Sequence, residues 1–146
     1  MDKSYQLLNP KGKKMSKKIL IADDDKVTRE IIRNTLESEE ARFEIFEAAT
    51  GSVALEMAKM LKPKLILLDI MMPGMSGYDV CRALKGSPET KNIYVLFLTG
   101  RGGELTKNTI ENCGGDDYMT KPFDPKELQK KIKRLFWDDL RYKNIT

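Results

Sequence analysis

The stretch Leu65-Ile66-Leu67-Leu68-Asp69 decides the fold, because four consecutive apolar residues end at a carboxylate. A strand that is apolar on both faces is typical of the middle of a parallel sheet, where helices cover both sides. We therefore predict a central strand over residues 65–68. Ligands of such sheets bind beyond the carboxyl ends of the strands, so Asp69 is expected where chemistry takes place.

Four further short apolar segments alternate with longer segments of helical period, as in an α/β domain with helices on both faces of a parallel sheet. The segment Phe43–Ala48 contains two glutamates, which favours a strand at the edge of the sheet. The five predicted strands are Ile19–Ala22, Phe43–Ala48, Leu65–Leu68, Ile93–Leu98 and Asp117–Met119.

The helices between these strands are indicated by apolar residues at helical spacing. The last helix is the clearest, since Pro125 suits a first turn and an apolar stripe follows it. Residues 102–112 are rich in weak helix formers and predict a short or mobile fourth helix. The apolar positions are Val27, Ile31, Ile32 and Leu36, then Ala54, Ala58 and Leu61, then Val80, Cys81 and Leu84, and finally Leu128, Ile132, Leu135 and Phe136.

Length and charge favour one domain with a basic arm. The 146 residues are 33% charged, and no apolar run approaches the length that crosses a bilayer, so we expect a cytoplasmic protein. Residues 1–18 hold six lysines against Asp2, a charge of +5 within a total of +4. We expect a disordered arm over 1–16, a domain over 17–137 and a short tail over 138–146, with no nucleic-acid or membrane binding.

The sequence contains no histidine, which excludes whole classes of enzyme. Neither a Ser-His-Asp or Cys-His mechanism nor a histidine-ligated zinc or iron site is available. Cys81 and Cys113 lack metal-ligand spacing and are expected to be packing thiols. Chemistry must therefore depend on carboxylates, lysine, threonine or a hard metal ion.

Polar side chains follow four of the five predicted strands. Taken singly, an aspartate here is more often a helix N-cap, a threonine a turn residue and a lysine a solvated charge. Together, carboxylates crowded at one edge of the sheet repel each other and need a cation, for which Mg²⁺ with its oxygen ligands is best suited. The residues are Asp23, Asp24 and Asp25 after the first strand, Asp69 after the third, Thr99 after the fourth and Lys121 after the fifth.

This set of residues suits phosphoryl transfer to an aspartate. A carboxylate attacks phosphorus when a metal ion and a cation neutralise the transferring oxygens. Asp69 is the better nucleophile because it stands alone after the central strand, which leaves Asp23 and Asp24 to hold the metal. Asp25, the third acid of the run, is expected to be a helix N-cap, which is the common role of an aspartate after a strand.

From about Lys17 to Phe136 the sequence resembles a response-regulator receiver domain of two-component signalling. The order and spacing of four segments carry the resemblance. They are Ile19-Leu20-Ile21-Ala22-Asp23-Asp24-Asp25, Leu67-Leu68-Asp69-Ile70-Met71-Met72-Pro73-Gly74-Met75-Ser76-Gly77, Leu98-Thr99-Gly100 and Gly114-Gly115-Asp116-Asp117-Tyr118-Met119-Thr120-Lys121-Pro122-Phe123.

The resemblance implies a role for each acidic residue. Asp69 would accept the phosphoryl group from a phosphohistidine of a sensor histidine kinase or a histidine phosphotransfer protein. Asp24 and Asp69 would bind Mg²⁺ directly, Asp23 would hold it through water, and the Met71 carbonyl would complete the protein ligands.

The resemblance also implies a switch. Thr99 would hydrogen-bond a phosphoryl oxygen, Lys121 would pair with another, and Tyr118 would turn inward when Thr99 moves. The Lys121–Pro122 bond would be cis. The implied sheet is doubly wound and five-stranded with the flavodoxin-like order 2-1-3-4-5. A downstream protein target would bind to the surface of the fourth helix, last strand and last helix. The protein would be a monomer or a phosphorylation-dependent dimer.

Phosphoryl lifetime is expected to be long. In the family the positions two after the acceptor and two after the threonine flank the path of the attacking water, and here they are Met71 and Arg101. Met71 has no polar group to orient water, and Arg101 is long enough to lie across the phosphoryl group. Self-dephosphorylation is therefore predicted to be slow.

Other functions are weighed against this one. A haloacid-dehalogenase-type phosphatase needs a second aspartate where Met71 stands, and a Rossmann domain needs a glycine-rich turn where Asp23 to Lys26 stand. The predicted function is that of a signalling phosphoacceptor, which is not an enzyme although it catalyses its own phosphorylation and dephosphorylation. The main alternative is a receiver-like module that binds proteins without phosphorylation. The ten residues after Phe136 are too few for an output domain, which leaves a stand-alone receiver or a piece of a longer regulator.

Overall fold

A computed structural model describes residues 17–38, 43–100 and 107–136 of the chain. The expected arm over 1–16 and tail over 138–146 lie outside these ranges, as does Arg101. None of the helices in these ranges combines the length and the apolar character that a membrane span requires.

Strands and helices alternate along the described chain. The elements are β1 Lys17–Ala22, α1 Lys26–Glu37, β2 Phe43–Ala48, α2 Gly51–Leu61, β3 Leu65–Asp69, α3 Gly77–Lys85, β4 Tyr94–Thr99, α4 Lys107–Cys113, β5 Asp117–Thr120 and α5 Pro125–Leu135. The strands form one parallel sheet in the order β2-β1-β3-β4-β5, so the expected order is confirmed, with β3 in the centre and β2 at an edge.

Two of the predicted site residues lie inside strands rather than after them. Asp69 pairs with Leu98, and Thr99 pairs with Thr120, so β3 and β4 each continue one residue beyond the predicted end. The backbone of Asp69 and of Thr99 is therefore held by hydrogen bonds of the sheet.

The sheet separates two apolar layers. Alternate residues of β1 and β3 point to opposite faces, with Leu20 and Ile66 on one side and Ile19 and Leu67 on the other. Helices α2, α3 and α4 pack on the first face, and α1 and α5 pack on the second. Each fully buried leucine or isoleucine contributes roughly 1.5–3 kcal/mol to stability.

Helix α1 confirms the predicted cap and buries only part of its apolar positions. Asp25 caps it, accepting hydrogen bonds from the Val27 amide at 3.2 Å and the Thr28 hydroxyl at 2.6 Å. The Thr28 bond lowers the pKa of the Asp25 carboxyl, since it stabilises the charged form. The buried face contains Ile32, whereas Val27 and Ile31 are exposed, because the helix packs on the sheet along a narrower stripe than the apolar spacing indicates.

The thiols pack between α3 and α4, as predicted. Cys81 and Cys113 are free and buried, and the Cys81 thiol donates a hydrogen bond to the Cys113 carbonyl at 3.2 Å. Burial, with the neighbouring Cys113, raises the pKa of Cys81 to about 12. A thiol with that pKa stays protonated and unreactive at neutral pH.

Helix α3 starts directly against the backbone of the central strand. The Gly77 amide donates to the Ile70 carbonyl at 2.9 Å, and a Cβ on Gly77 would lie at or within 3.0 Å of backbone atoms of Asp69 and Ile70. A side chain at this position would push α3 away from the end of β3.

Replacing this glycine tests the close approach. We expect Gly77→Ala to destabilise the domain by about 1–3 kcal/mol in urea unfolding, because backbone atoms cannot give way to the methyl group. Gly86→Ala at the other end of α3 is the matched control, since Gly86 has a φ of −84° and the nearest atom to its Cβ is the Arg82 carbonyl oxygen at 3.2 Å. Equal stability of the two variants would show that the helix start is not fixed by this contact.

Candidate functional site

The predicted polar residues meet at the carboxyl edge of the sheet. Ala22 of β1 pairs with Leu68 of β3, which places Asp23 beside Asp69. Thr99 ends β4 on the other side of β3 and pairs with Thr120, the residue before Lys121. Parallel pairing thus brings together residues from four strands.

Three carboxylates form a group that could hold a metal ion. Asp23, Asp24 and Asp69 each offer one oxygen, and these oxygens all lie within 4.8 Å of one another. Asp23 and Asp69 are buried and Asp24 is exposed. Carboxylate oxygens at this spacing, open to solvent on one side, suit a hard divalent cation that keeps some of its waters.

Asp23 is completely buried, and each of its polar groups has a partner. Its amide donates to the Ala48 carbonyl at 3.1 Å, and its own carbonyl accepts from the Arg29 guanidinium at 2.7 Å. Its Oδ1 accepts from the Asp25 amide at 2.8 Å, and its Oδ2 accepts from the Lys121 ammonium at 2.6 Å. The structure therefore locks this carboxylate in one orientation.

Asp69 is held less completely. Its Oδ1 accepts a bond of 3.2 Å from the Met71 amide, and its Oδ2 lies 3.5 Å from the Lys121 ammonium. Burial raises the pKa of the Asp69 carboxyl to about 6, with a further contribution from the charge of Asp23. Asp69 is the buried acid of the group with spare acceptor capacity.

Lys121 joins the two buried carboxylates. Burial alone would lower its pKa, but the hydrogen bond to Asp23 and the charges of Asp23 and Asp69 outweigh that effect and raise it. Its amide donates to the Thr99 carbonyl at 2.6 Å, which fixes the start of the following loop. The bond to Pro122 is cis, as the resemblance implies.

The remaining predicted residues flank the carboxylates. Thr99 is buried, and its hydroxyl donates to the Gly100 carbonyl at 3.3 Å. Tyr118 lies on β5 with 43% of its surface exposed, and Met71 is 78% exposed in the loop after β3. The ring of Tyr118 is thus turned outward in this structure.

The sequence analysis missed a group of ion-paired residues, one of which, Arg29, contacts the backbone of Asp23. Arg29 and Arg33 of α1 both bind Glu47 of β2, at 2.9 and 2.6 Å. The signal was present, since the arginines stand four residues apart and the glutamate interrupts an apolar strand. From the sequence alone, a glutamate in this strand indicates only an edge position.

The chain belongs to the response regulator receiver domain family, whose model matches residues 19–133. It is 42% identical over 121 residues to the phosphate regulon transcriptional regulatory protein PhoB of Pseudomonas aeruginosa, covering 83% of this chain and 52% of that protein. It spans about half the length of the transcriptional regulators that it matches, and 9% of a histidine kinase of Formosa agariphila.

Solved structures show the same architecture. The signal receiver domain of a signal transduction histidine kinase from Syntrophus aciditrophicus has a TM-score of 0.75 at 32% identity, covering 84% of this chain and 92% of that chain. The chemotaxis protein CheY4 of Vibrio cholerae has a TM-score of 0.74 at 28% identity, covering 83% and 99%.

The raised pKa of Asp69 predicts a cost to stability. The unfolded carboxyl titrates near its ordinary 3.8 and the folded one near 6, so the folded state binds more protons between these values and stability falls as pH rises from about 4 to 6. Without divalent cations, we expect Asp69→Asn to be more stable than the parent chain at pH 7.5, by roughly 1–3 kcal/mol. The difference should disappear below pH 4.

Urea unfolding in EDTA across this pH range measures the effect. Glu89→Gln, at an exposed position in the loop before β4, is the control and should leave the pH profile unchanged. A destabilised Asp69→Asn protein at pH 7.5 would show that the Asp69 charge is favourable in the folded state.

Proposed function

We propose that this receiver domain accepts a phosphoryl group on Asp69 in a Mg²⁺-dependent transfer and then changes a protein-interaction surface. The donor is a phosphohistidine of a sensor histidine kinase or histidine phosphotransfer protein. The observation that carries the proposal is the position of Asp69. This buried carboxylate lies next to two other acids and a lysine and retains an oxygen that can accept a further bond.

The transfer needs one nucleophilic oxygen and compensation for the incoming charge. A bond forms between an Asp69 oxygen and phosphorus while the phosphorus–nitrogen bond of the donor breaks, and the departing imidazole keeps the electron pair and takes a proton. Mg²⁺ would neutralise the negative charge of the phosphoryl oxygens while the phosphorus passes in line from the donor nitrogen to the Asp69 oxygen. Asp24, Asp69 and the Met71 carbonyl would hold it directly, and Asp23 through water.

Lys121 and Thr99 are suited to receive the phosphoryl oxygens. The Lys121 ammonium lies 3.5 Å from Asp69 while bonded to Asp23, so a small movement brings it to a phosphoryl oxygen on Asp69. The Thr99 hydroxyl donates only a long bond, which a charged phosphoryl acceptor would replace. Movement of Thr99 would free the space into which Tyr118 turns.

The surface of α4, β5 and α5 is the proposed output face, used by a monomer or a phosphorylation-dependent dimer. Tyr118 lies on β5 and presents much of its ring there. A groove of about 300 Å³ between the sheet and α5 includes Tyr94, Leu96 and Leu135, with Asp117 and Lys131 paired at 2.7 Å beside them. An apolar groove with a charged edge suits a downstream protein target.

Phosphoryl uptake tests the acceptor. With Mg²⁺ and a small phosphodonor such as acetyl phosphate, intact mass should show one added phosphoryl group on the parent chain and none on Asp69→Asn. Asp79→Asn, at an exposed aspartate of α3, should retain uptake. Asp24→Ala should weaken Mg²⁺ binding and slow the reaction.

The alternatives give different results in the same experiment. Uptake by Asp69→Asn at the parent stoichiometry would move the acceptor to another residue. A parent chain that stays unmodified while Asp69→Asn behaves identically would favour the phosphorylation-independent binding module.

Phosphoryl lifetime tests the loop after β3. Met71 offers no side-chain group to orient a water behind phosphorus, so Met71→Asn should shorten the lifetime several-fold. Met60→Asn is the control, because Met60 is also 78% exposed but lies on α2. Decay followed by intact mass at equal rates in both variants would contradict this role.

A further inference from the structure

An ion-pair bridge joins α1 to the edge strand β2 behind the carboxylate group. Glu47 accepts from the Nε of Arg29 at 2.9 Å through one carboxylate oxygen and from the Nε of Arg33 at 2.6 Å through the other. The hydrogen bond from Arg33, followed by that from Arg29, lowers the pKa of Glu47. Both of its oxygens are thus committed to the two guanidinium groups.

The two arginines differ in what else they touch. Arg29 donates a second bond, at 2.7 Å, to the carbonyl of Asp23, and only 15% of its side chain is exposed. Arg33 donates its second bond to the Ile45 carbonyl at 3.2 Å and lies 3.6 Å from Glu37. Of this pair, only Arg29 reaches the loop that carries the acidic residues.

The bond from Arg29 acts at a position that sets the direction of the carboxylates. The peptide that begins at the Asp23 carbonyl leads directly into Asp24, and the amide of Asp25 closes back on Asp23 Oδ1 at 2.8 Å. A guanidinium is a rigid planar fork, so fixing one arm on Glu47 fixes the other on the Asp23 carbonyl. The orientation of Asp24 is thereby tied to the edge strand.

We infer that Arg29 is a positioning residue for divalent-cation binding, held by Glu47 and acting on the backbone of the Asp23–Asp25 loop. The inference rests on the proposed function only in that these carboxylates bind Mg²⁺. Groups that orient metal ligands through a hydrogen bond commonly change metal affinity by 10-fold or more when removed.

A role as a charge and a role as a positioning group predict opposite signs. Removing a cation near three carboxylates would strengthen Mg²⁺ binding if Arg29 acted through its charge alone. If Arg29 positions the loop, Arg29→Gln should weaken Mg²⁺ binding by about 10-fold. Arg29→Lys should also weaken binding, because an ammonium keeps the charge but lacks the fork.

The matched control is Arg33→Gln, which removes a bond to the same Glu47 without touching Asp23. We expect it to cost similar stability to Arg29→Gln in thermal unfolding but to leave the Mg²⁺ dissociation constant within 2-fold of the parent value. Isothermal titration of the unphosphorylated chain with MgCl₂ measures these constants.

A second readout needs no metal. In ¹⁵N NMR spectra recorded in EDTA, the Asp25 amide should shift in Arg29→Gln and Arg29→Lys but not in Arg33→Gln, because that amide donates to Asp23. If Arg29→Gln does not fold, Arg29→Lys carries both measurements.

The outcomes separate the two proposals. Tighter Mg²⁺ binding by Arg29→Gln, or equal changes in Arg29→Gln and Arg33→Gln, would overturn the positioning role. A parent chain that binds no Mg²⁺ would contradict the proposed function, and the positioning role would be overturned if the Asp25 amide were also unmoved. Weaker binding confined to the Arg29 variants, with the Asp25 shift, would support it.

Discussion

The ammonium group of Lys121 lies between two buried carboxylates, and the arrangement of the site depends on that contact. Lys121 follows β5, Asp23 follows β1 and Asp69 ends β3, so the side chain of Lys121 reaches two strands that are not neighbours of its own. Unit charges 4 Å apart interact by about 4 kcal/mol at an effective dielectric constant near 20. Without the lysine, repulsion between these two buried carboxylates would remain uncompensated.

The contact also makes the two acids unequal. Lys121 bonds Asp23 at 2.6 Å and stands 3.5 Å from Asp69, and the partners of Asp23 occupy its other polar groups. The Asp23 side chain is therefore fixed in orientation, whereas Asp69 keeps an oxygen with acceptor capacity and a pKa raised mainly by burial. A carboxylate that its surroundings stabilise poorly gains most from a new partner, whether a metal ion or a phosphoryl group with its counterions.

Much of the fold followed from pattern, because buried parallel strands and amphipathic helices have simple periods. The uninterrupted apolar run before Asp69 predicted the central strand, and the glutamates of Phe43–Ala48 predicted the edge. Burial on α1 was harder, since Val27 and Ile31 have the spacing of a buried face but lie outside the stripe that meets the sheet. The carboxylates were predictable because strand ends converge. The bond from Arg29 to the Asp23 carbonyl was not, since a contact from an arginine to a loop carbonyl, unlike a helix cap, has no fixed sequence pattern.

The edge strand explains why an acidic site of this kind needs more than charge compensation. Lys121 neutralises the carboxylates from one side, but a lysine is a single flexible point charge and does not define the direction of the loop after β1. That loop is shaped by its backbone, through the Ala48 carbonyl that accepts from the Asp23 amide and the Arg29 fork that binds the Asp23 carbonyl. Both contacts depend on β2 being in register with β1, where Glu47 pairs with Ile21 and Ala48 with Ala22. The strand farthest from Thr99 and Tyr118 therefore shapes the loop that presents the acids, and Glu47 of that strand takes part in holding the loop.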